Sequence, residues 1–208
     1  MLTVVTHTRF TRPDLLERCT ASVAAALPDG AQHLIIPCHT NFAKARFEAT
    51  RLSRYVAFVD DDDYINPTAL KLCLTAIKET GAGVAFTDEV SVDLDGTRQF
   101  VRNGGRSYQD VSKHPRTIHH LTVIDCNYVS PKALELNSVF DAGVCWFIKA
   151  SAALTGNAIH VPIEGYYWTQ HAGMLSHEEG PKYNRHIKQM GAALEKAFPH
   201  IGGRIPTW

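Results

Sequence analysis

The sequence predicts an α/β domain built on a doubly wound, mostly parallel sheet of Rossmann-like type. Three observations carry this. Short apolar runs rich in β-branched residues alternate with amphipathic helical stretches through the first half of the chain, the pattern of parallel strands joined by right-handed crossovers. Each run ends in a polar loop, and in such sheets ligands gather outside the C-terminal ends of the strands. With 208 residues, 45% of them hydrophobic, the chain can bury the core of one domain.

Leu2 to Thr6 is the first strand, followed by the loop Thr6-His7-Thr8-Arg9. Pro13 suits the first turn of a helix, Asp14 and Glu17 favour its positive end, and Leu15, Leu16, Cys19, Val23 and Leu27 give it one apolar face before Pro28-Asp29-Gly30 ends it. His33 to Ile36 is the second strand, with the polar loop Pro37 to Asn41 behind it and a helix from about Ala43 to Ser53. Tyr55 to Val59 has no polar alternation and reads as a strand covered on both faces. Asn66 caps and Pro67 begins a helix that runs through Lys78 and stops at Gly81; Gly83 to Thr87 is the fourth strand.

The second half is less regular. Glu89 to Val92 and Thr97 to Val101 flank Asp95-Gly96 as a hairpin. Arg98, Arg102, Arg106, Lys113 and Arg116, with His114, His119 and His120, fall in a glycine-containing stretch read as a mobile loop. Ser130-Pro131 starts a short helix, Val144 to Leu154 an amphipathic one ending at Gly156; Ile159 to Trp168 returns to the sheet, and Lys182 to Phe198 is a closing helix.

The central strand stops abruptly at Asp60, Asp61, Asp62 and Asp63. Repulsion among adjacent carboxylates destabilises such a run unless a cation or a ring of donors lies between them. Hard oxygen ligands suit magnesium or manganese, which complete their shells with water and substrate phosphates, so the run points to a divalent metal and a nucleotide diphosphate.

Composition sets limits. Lysine plus arginine equal aspartate plus glutamate at 21 each, so no global field draws the chain to nucleic acid or an anionic membrane, and any such attraction must be local. Five cysteines, an odd number without a CxxC, argue against a disulfide framework and a zinc knuckle. The N-terminus lacks the basic flank and apolar core of a signal peptide, and no stretch approaches the ~20 apolar residues of a membrane span. A soluble, cytoplasmic protein is the expectation.

The pieces TVVTHTR, NFAKAR, YVAFVDDDDYINP, VAFTDE with a following LDG, and YYWTQHAGMLS, in this order and spacing, resemble glycosyltransferase family 2. The resemblance implies the GT-A fold over residues 1–208, with 1–93 as the nucleotide-sugar-binding half and 94–208 as a less regular acceptor-side half. It also implies a nucleotide-sugar donor, manganese or magnesium held through an Asp-x-Asp signature, and inversion at the anomeric carbon. Asp60 and Asp62 fill the two acidic positions, with Asp61 between them. Asp62 is the expected direct metal ligand, Asp60 meets the ribose or reaches the metal through water, and His171 closes the metal shell. Thr6, Thr8 and Arg9 fall in the first donor loop, Cys38 in the loop after the second strand, and Arg46 where a guanidinium meets nucleotide or phosphate oxygens.

Three departures stand out. Pro37-Cys38-His39-Thr40 replaces an acidic motif that reads the donor base, and Thr169 stands where many members have arginine. Val144-Cys145 falls on the family's Glu-Asp pair, whose aspartate is the usual general base. An inverting transfer needs a base within about 3 Å of the acceptor hydroxyl or one water away. Asp141, Asp88 and Asp125 are the candidates, and Arg102, Arg106 and Trp146 the expected acceptor contacts. A nucleotidyltransferase would share the aspartates and metal but usually shows a glycine-rich phosphate loop, absent here. A non-catalytic nucleotide-sugar-binding module is the other alternative. The acceptor stays open among a glycan, a lipid-linked sugar, a protein, a small molecule and a nucleic acid such as DNA with hydroxymethylated bases.

Overall fold

The computed structural model describes residues 1–38, 42–102, 107–111, 113, 117–140, 145–172, 174–198 and 203–208. The elements are β1 (Leu2–Thr8), α1 (Pro13–Ala26), β2 (Gln32–Pro37), α2 (Phe42–Ala49), β3 (Tyr55–Phe58), β4 (Tyr64–Ile65), α3 (Ala69–Thr80), β5 (Val84–Val92), β6 (Arg98–Arg102), β7 (Thr122–Asp125), α4 (Pro131–Phe140), α5 (Trp146–Gly156), β8 (Ala158–Thr169) and α6 (Leu175–Ala197). Eight strands form one sheet in the order β2-β1-β3-β7-β5-β8-β4, with β6 on β5.

Five strands, β2, β1, β3, β5 and β8, point the same way; β7 is inserted against them between β3 and β5, pairing Val56 with Ile124 on one side and Ala85 with Val123 on the other. The sheet is thus parallel in its majority and mixed at its centre. Neither β7 nor the two-residue β4 is among the sequence expectations, because Thr122-Val123-Ile124-Asp125 is four residues long and buried throughout, with no alternation to mark it.

Strand periodicity sorts the two cores. Val56 and Phe58 join Val5, Phe86 and Ile124 against Phe47 of α2, Phe147 and Ile148 of α5, and Met190 and Leu194 of α6. Tyr55, Ala57 and Val59 face the other way, with Val4, Ala85 and Val123, onto Cys19 and Val23 of α1 and Leu70, Cys73 and Ile77 of α3. The expected helices are present, and their stops follow local chemistry. Gly81 adopts φ 72 and donates its N–H to the Ile77 carbonyl at 2.8 Å, closing α3 in the left-handed conformation that glycine tolerates. Asn66 accepts from the Thr68 N–H and hydroxyl, so the chain turns once at Pro67-Thr68 before α3 begins.

The Asp95-Gly96 hairpin joins β5 to β6, with Gly96 at φ 87 and the Thr97 N–H held by Asp93 and Asp95. Arg98 and Arg102 therefore lie on a strand and not in a mobile loop; Arg106, His114 and Arg116 fall outside the described residues. Among the described residues no helix is long and apolar enough to cross a membrane.

Candidate active site

β1 and β3 lie side by side and parallel, with Val5 opposite Phe58, so the loop after β1 and the aspartates after β3 leave the sheet at the same edge. Thr8, still in β1, donates its hydroxyl to Asp61 Oδ2 at 2.6 Å and accepts from the Phe10 N–H at 2.9 Å; Phe10 sits at φ 57, a left-handed turn that carries the chain back toward α1. Arg12, just ahead of α1, then reaches Asp62 Oδ2 at 2.9 Å and Asp61 Oδ1 at 3.6 Å.

The four carboxylates have four different surroundings. Asp60 is ion-paired with the buried Arg46, whose second amino group reaches Cys145 Sγ at 2.6 Å. Burial works against the Arg46 charge, but Asp60 and Cys145 outweigh it and leave the guanidinium more basic than usual. Burial raises the pKa of Asp61, opposed by the Thr8 hydrogen bond, with the Asp62 charge adding to the rise. Asp63 is fully enclosed, accepting from the Tyr166 hydroxyl at 2.7 Å and the Thr169 N–H at 2.8 Å, and its carboxyl lies well above the usual range because of burial and its charged neighbours Asp62 and Asp60. It fastens the run to β8 and faces no ligand.

Asp62 is the focus. His171 Nε2 lies 2.9 Å from its Oδ2, and Arg12 Nη1 lies 2.9 Å from that oxygen and 2.7 Å from the same nitrogen. These three contacts cannot all be hydrogen bonds: a proton on Nε2 suits Asp62 and opposes Arg12, and a lone pair there does the reverse. A carboxylate oxygen and an imidazole nitrogen turned toward one cationic point form a donor pair that fits a divalent metal, with Arg12 holding the position as the resident cation. Arg18 completes the ring, donating to the Asp62 carbonyl at 2.9 Å and to Thr169 Oγ1 at 2.6 Å. A guanidinium thus reaches Thr169, from α1.

The expected site residues divide accordingly. Thr8, Arg46, Asp60, Asp61, Asp62 and His171 gather at this edge, and Arg9 lies over the Phe42 ring at 5.3 Å beside it. Asp60 does not join the proposed metal pair, because its carboxylate is turned to Arg46. Thr6 faces inward, bonded to His33 Nε2 at 2.9 Å and packed under α1 against Cys19, so it is not a donor contact. Cys38 is buried and extends β2 by donating its N–H to the Thr8 carbonyl at 2.9 Å.

On the acceptor side Asp88 is held by His160 Nε2 at 2.8 Å. Asp125 is corrected: β7 runs backwards, so its last residue lies opposite Tyr55 at the far edge of the sheet, paired with Arg54 at 2.9 Å. Trp146 is corrected too, since it is buried in the core and donates its indole N–H to the Val111 carbonyl at 2.8 Å. Arg102 is paired with the buried Glu89 at 2.5 Å and lies 5.1 Å from the centre of the Trp168 ring, so its charge is already matched within the fold. Arg98 pairs with Glu164 at the surface and stays exposed. Asp141, Val144 and Arg106 lie outside the described residues.

Sequence reading missed Arg12, Arg18 and Tyr166. The signal for the arginines was weak: a basic residue in or before the first helix normally reads as surface. Tyr166 was hidden inside an apolar strand, although its hydroxyl accepts from the Asp60 N–H at 3.1 Å while donating to Asp63.

No family model matches the sequence, and no curated protein matches it. Solved structures do. Staphylococcus aureus TarS 1-349 in complex with UDP-GlcNAc superposes with a TM-score of 0.60 at 15% identity, covering 95% of this chain and 67% of that one. The same fragment with UDP gives 0.59 at 15% identity, covering 95% and 66%, and without a named ligand 0.54 at 16%, covering 95% and 72%. The chain therefore spans about two thirds of the TarS fragment in those complexes. At this identity the likeness establishes the fold, and the fold is the expected GT-A type.

Proposed function

We propose that this chain transfers a sugar from a nucleotide-sugar donor to an acceptor hydroxyl, with metal support and with inversion at the anomeric carbon. The observation that carries the reading is the convergence of Asp62, His171 and Arg12 at the shared edge of β1 and β3. It occurs in a fold shared with a protein crystallised with UDP-GlcNAc and with UDP.

Asp62 and His171 would hold magnesium or manganese, which supplies neutralising charge at a diphosphate leaving group. Arg12 then turns from the carboxylates to phosphate oxygens, exchanging one set of charge-assisted hydrogen bonds for another. Arg46, fixed between Asp60 and Cys145, contributes a second positive centre that needs no reorganisation. Asp60, a third of whose side chain is open to solvent, is placed to accept from a ribose hydroxyl.

As the acceptor oxygen bonds the anomeric carbon and the diphosphate departs, a base must take the acceptor proton. We assign that role to Asp141 from its position just before α5, with Asp88 second because His160 already holds it. The acceptor is a hydroxyl compound, a glycan or a hydroxymethylated DNA base. Pairing of Arg102 with the buried Glu89 removes one of the five cations that argue for a polyanion.

A screen of nucleotide sugars with and without manganese tests the proposal. The expected result is metal-stimulated release of a nucleoside diphosphate from one of them. Binding without release for every acceptor would leave a non-catalytic nucleotide-sugar-binding module, and failure to bind any nucleotide sugar would overturn the reading.

A further inference from the structure

A second group of metal-ligating side chains lies apart from the aspartates. Glu89 on β5, and His119 and His120 just before β7, bring one carboxylate oxygen and two ring nitrogens within 4.8 Å of one another. β7 makes this possible: because it runs against its neighbours, the residues that precede it emerge beside the C-terminal half of β5. Glu89 is wholly buried and follows a register break between Asp88 and Glu89, where a bulge re-aims the side chain.

The bonding is incomplete in a particular way. Arg102 holds Glu89 Oε1 at 2.5 Å. The other oxygen, Oε2, touches His119 Nδ1 without hydrogen-bond geometry, and both atoms are buried with no hydrogen-bond partner among the described residues. His120 Nε2 is a third such atom. An unpaired buried polar atom costs about 1–3 kcal/mol, and three converging on one point need a common partner. A proton shared between Glu89 and His119 would serve two of them and leave His120 Nε2 unmet. A metal ion satisfies all three.

We infer that Glu89, His119 and His120 bind a divalent transition metal of the zinc class, at a site distinct from Asp62 and His171. Two imidazoles and a carboxylate suit zinc or cobalt better than magnesium or calcium, and leave coordination open for an oxygen ligand. Donors of a tetrahedral zinc site sit roughly 3.4 Å apart, so the touching Glu89–His119 pair must open to admit an ion while the whole set stays within 4.8 Å. The surroundings support the ligands. Arg102 fixes the carboxylate from behind, and His120 lies stacked on Tyr166 with centroids 5.0 Å apart. Burial lowers the pKa of both imidazoles, opposed at His119 by Glu89, and so favours the neutral ring that a metal requires. The cations nearby are Arg102, which also reaches His119 Nε2 at 3.3 Å, Lys149 and Arg46, and burial disfavours the charged form of the Lys149 amine. The Tyr166 ring separates this site from the aspartates, to which its hydroxyl is bonded.

The inference does not depend on sugar transfer and is read without turnover. Untagged full-length protein, stripped with a chelator and reloaded with zinc or cobalt, is assayed for metal content by mass spectrometry and for the visible cobalt spectrum. About one tightly held ion per chain is expected in the wild type and in Asp62→Asn. His119→Gln and Glu89→Gln should lose it, and Arg102→Ala should weaken it by roughly 10-fold as the loss of an outer contact. Since Glu89 is buried, His119→Gln, on a partly exposed side chain, serves as the variant least prone to misfold. Failure of the wild type to retain zinc, or loss of the ion in Asp62→Asn with retention in His119→Gln, would overturn the inference.

Discussion

Arg12 and His171, 159 positions apart, meet at 2.7 Å directly over one oxygen of Asp62. If Arg12 occupies the point where a divalent ion is to sit, the two compete. Arg12→Ala should then tighten binding of manganese alone several-fold, while Asp62→Ala abolishes it with the fold intact. Electron paramagnetic resonance of free manganese gives both affinities. Equal affinity in wild type and both variants would remove the metal from this site.

Arg46 is the buried counter-ion of Asp60 and also grips Cys145. Removing one member of such a pair strands the other, so Arg46→Ala should cost about 2–3 kcal/mol, less than the roughly 3–5 kcal/mol of a fully buried pair because Asp60 is partly open to water. Lysine cannot span both partners with a single ammonium, so Arg46→Lys should recover less than half of the loss. Urea denaturation of the three proteins decides it; a fully stable Arg46→Lys would show that charge alone suffices.

His7 packs flat against Phe58 with neither ring nitrogen bonded among the described residues, and burial, then the Arg46 charge, lowers its pKa to about 4. Between that value and 6.5 the unfolded chain binds more protons than the folded one, so stability must fall as pH drops through this window, by up to about 3 kcal/mol. Asp63 has the opposite slope: its raised pKa favours the folded state at low pH, and that contribution is lost as pH rises through the raised value. Comparing wild type with His7→Phe from pH 4 to 7 isolates the histidine. The stability difference should shift toward the variant as pH falls, and a constant difference would show that His7 does not titrate in the window.

Tyr166→Phe tests the anchor of the acidic run. Loss of the hydroxyl leaves a buried Asp63 oxygen and the Asp60 N–H unpaired, a cost of about 1–3 kcal/mol. Asp63→Asn keeps an acceptor for the Thr169 N–H and should be milder. A thermal melt in which Asp63→Asn is the worse of the two would contradict the assignment of Asp63 as a structural carboxyl.

What the sequence made legible, and what it hid, follows from how each feature is encoded. Tyr55–Phe58 and the aspartates stand out because an apolar run and a charge run abut, and the Asp95-Gly96 turn because few residues accept its backbone angles. Four identical aspartates, however, give no local sign that Asp63 points inward while Asp62 points out. That is settled by Tyr166 and Thr169, more than a hundred residues away. Asp125 was misplaced for a related reason: its side of the sheet depends on strand direction, and four buried residues do not declare a direction. Trp146 was read as a contact surface because aromatic rings serve both interfaces and cores, and only its packing distinguishes the two.

The placement of β7 bears on how the molecule comes to be folded. β3 and β5 are close in sequence, yet they never pair with each other; the slot between them is filled by Thr122–Asp125, which leaves the ribosome much later. A nascent chain that has emerged only through β5 leaves the edges of β3 and β5 that β7 will pair without a partner, and the segments concerned, Tyr55–Ala57 and Val84–Phe86, carry no charge to guard them. Closure must wait for a long-range contact, which slows folding and lengthens the exposure to aggregation. N-terminal fragments that end before β7, even those carrying Asp60 to Asp63, should therefore precipitate, and co-expression with a holdase should help the whole chain more than lowering its concentration after synthesis.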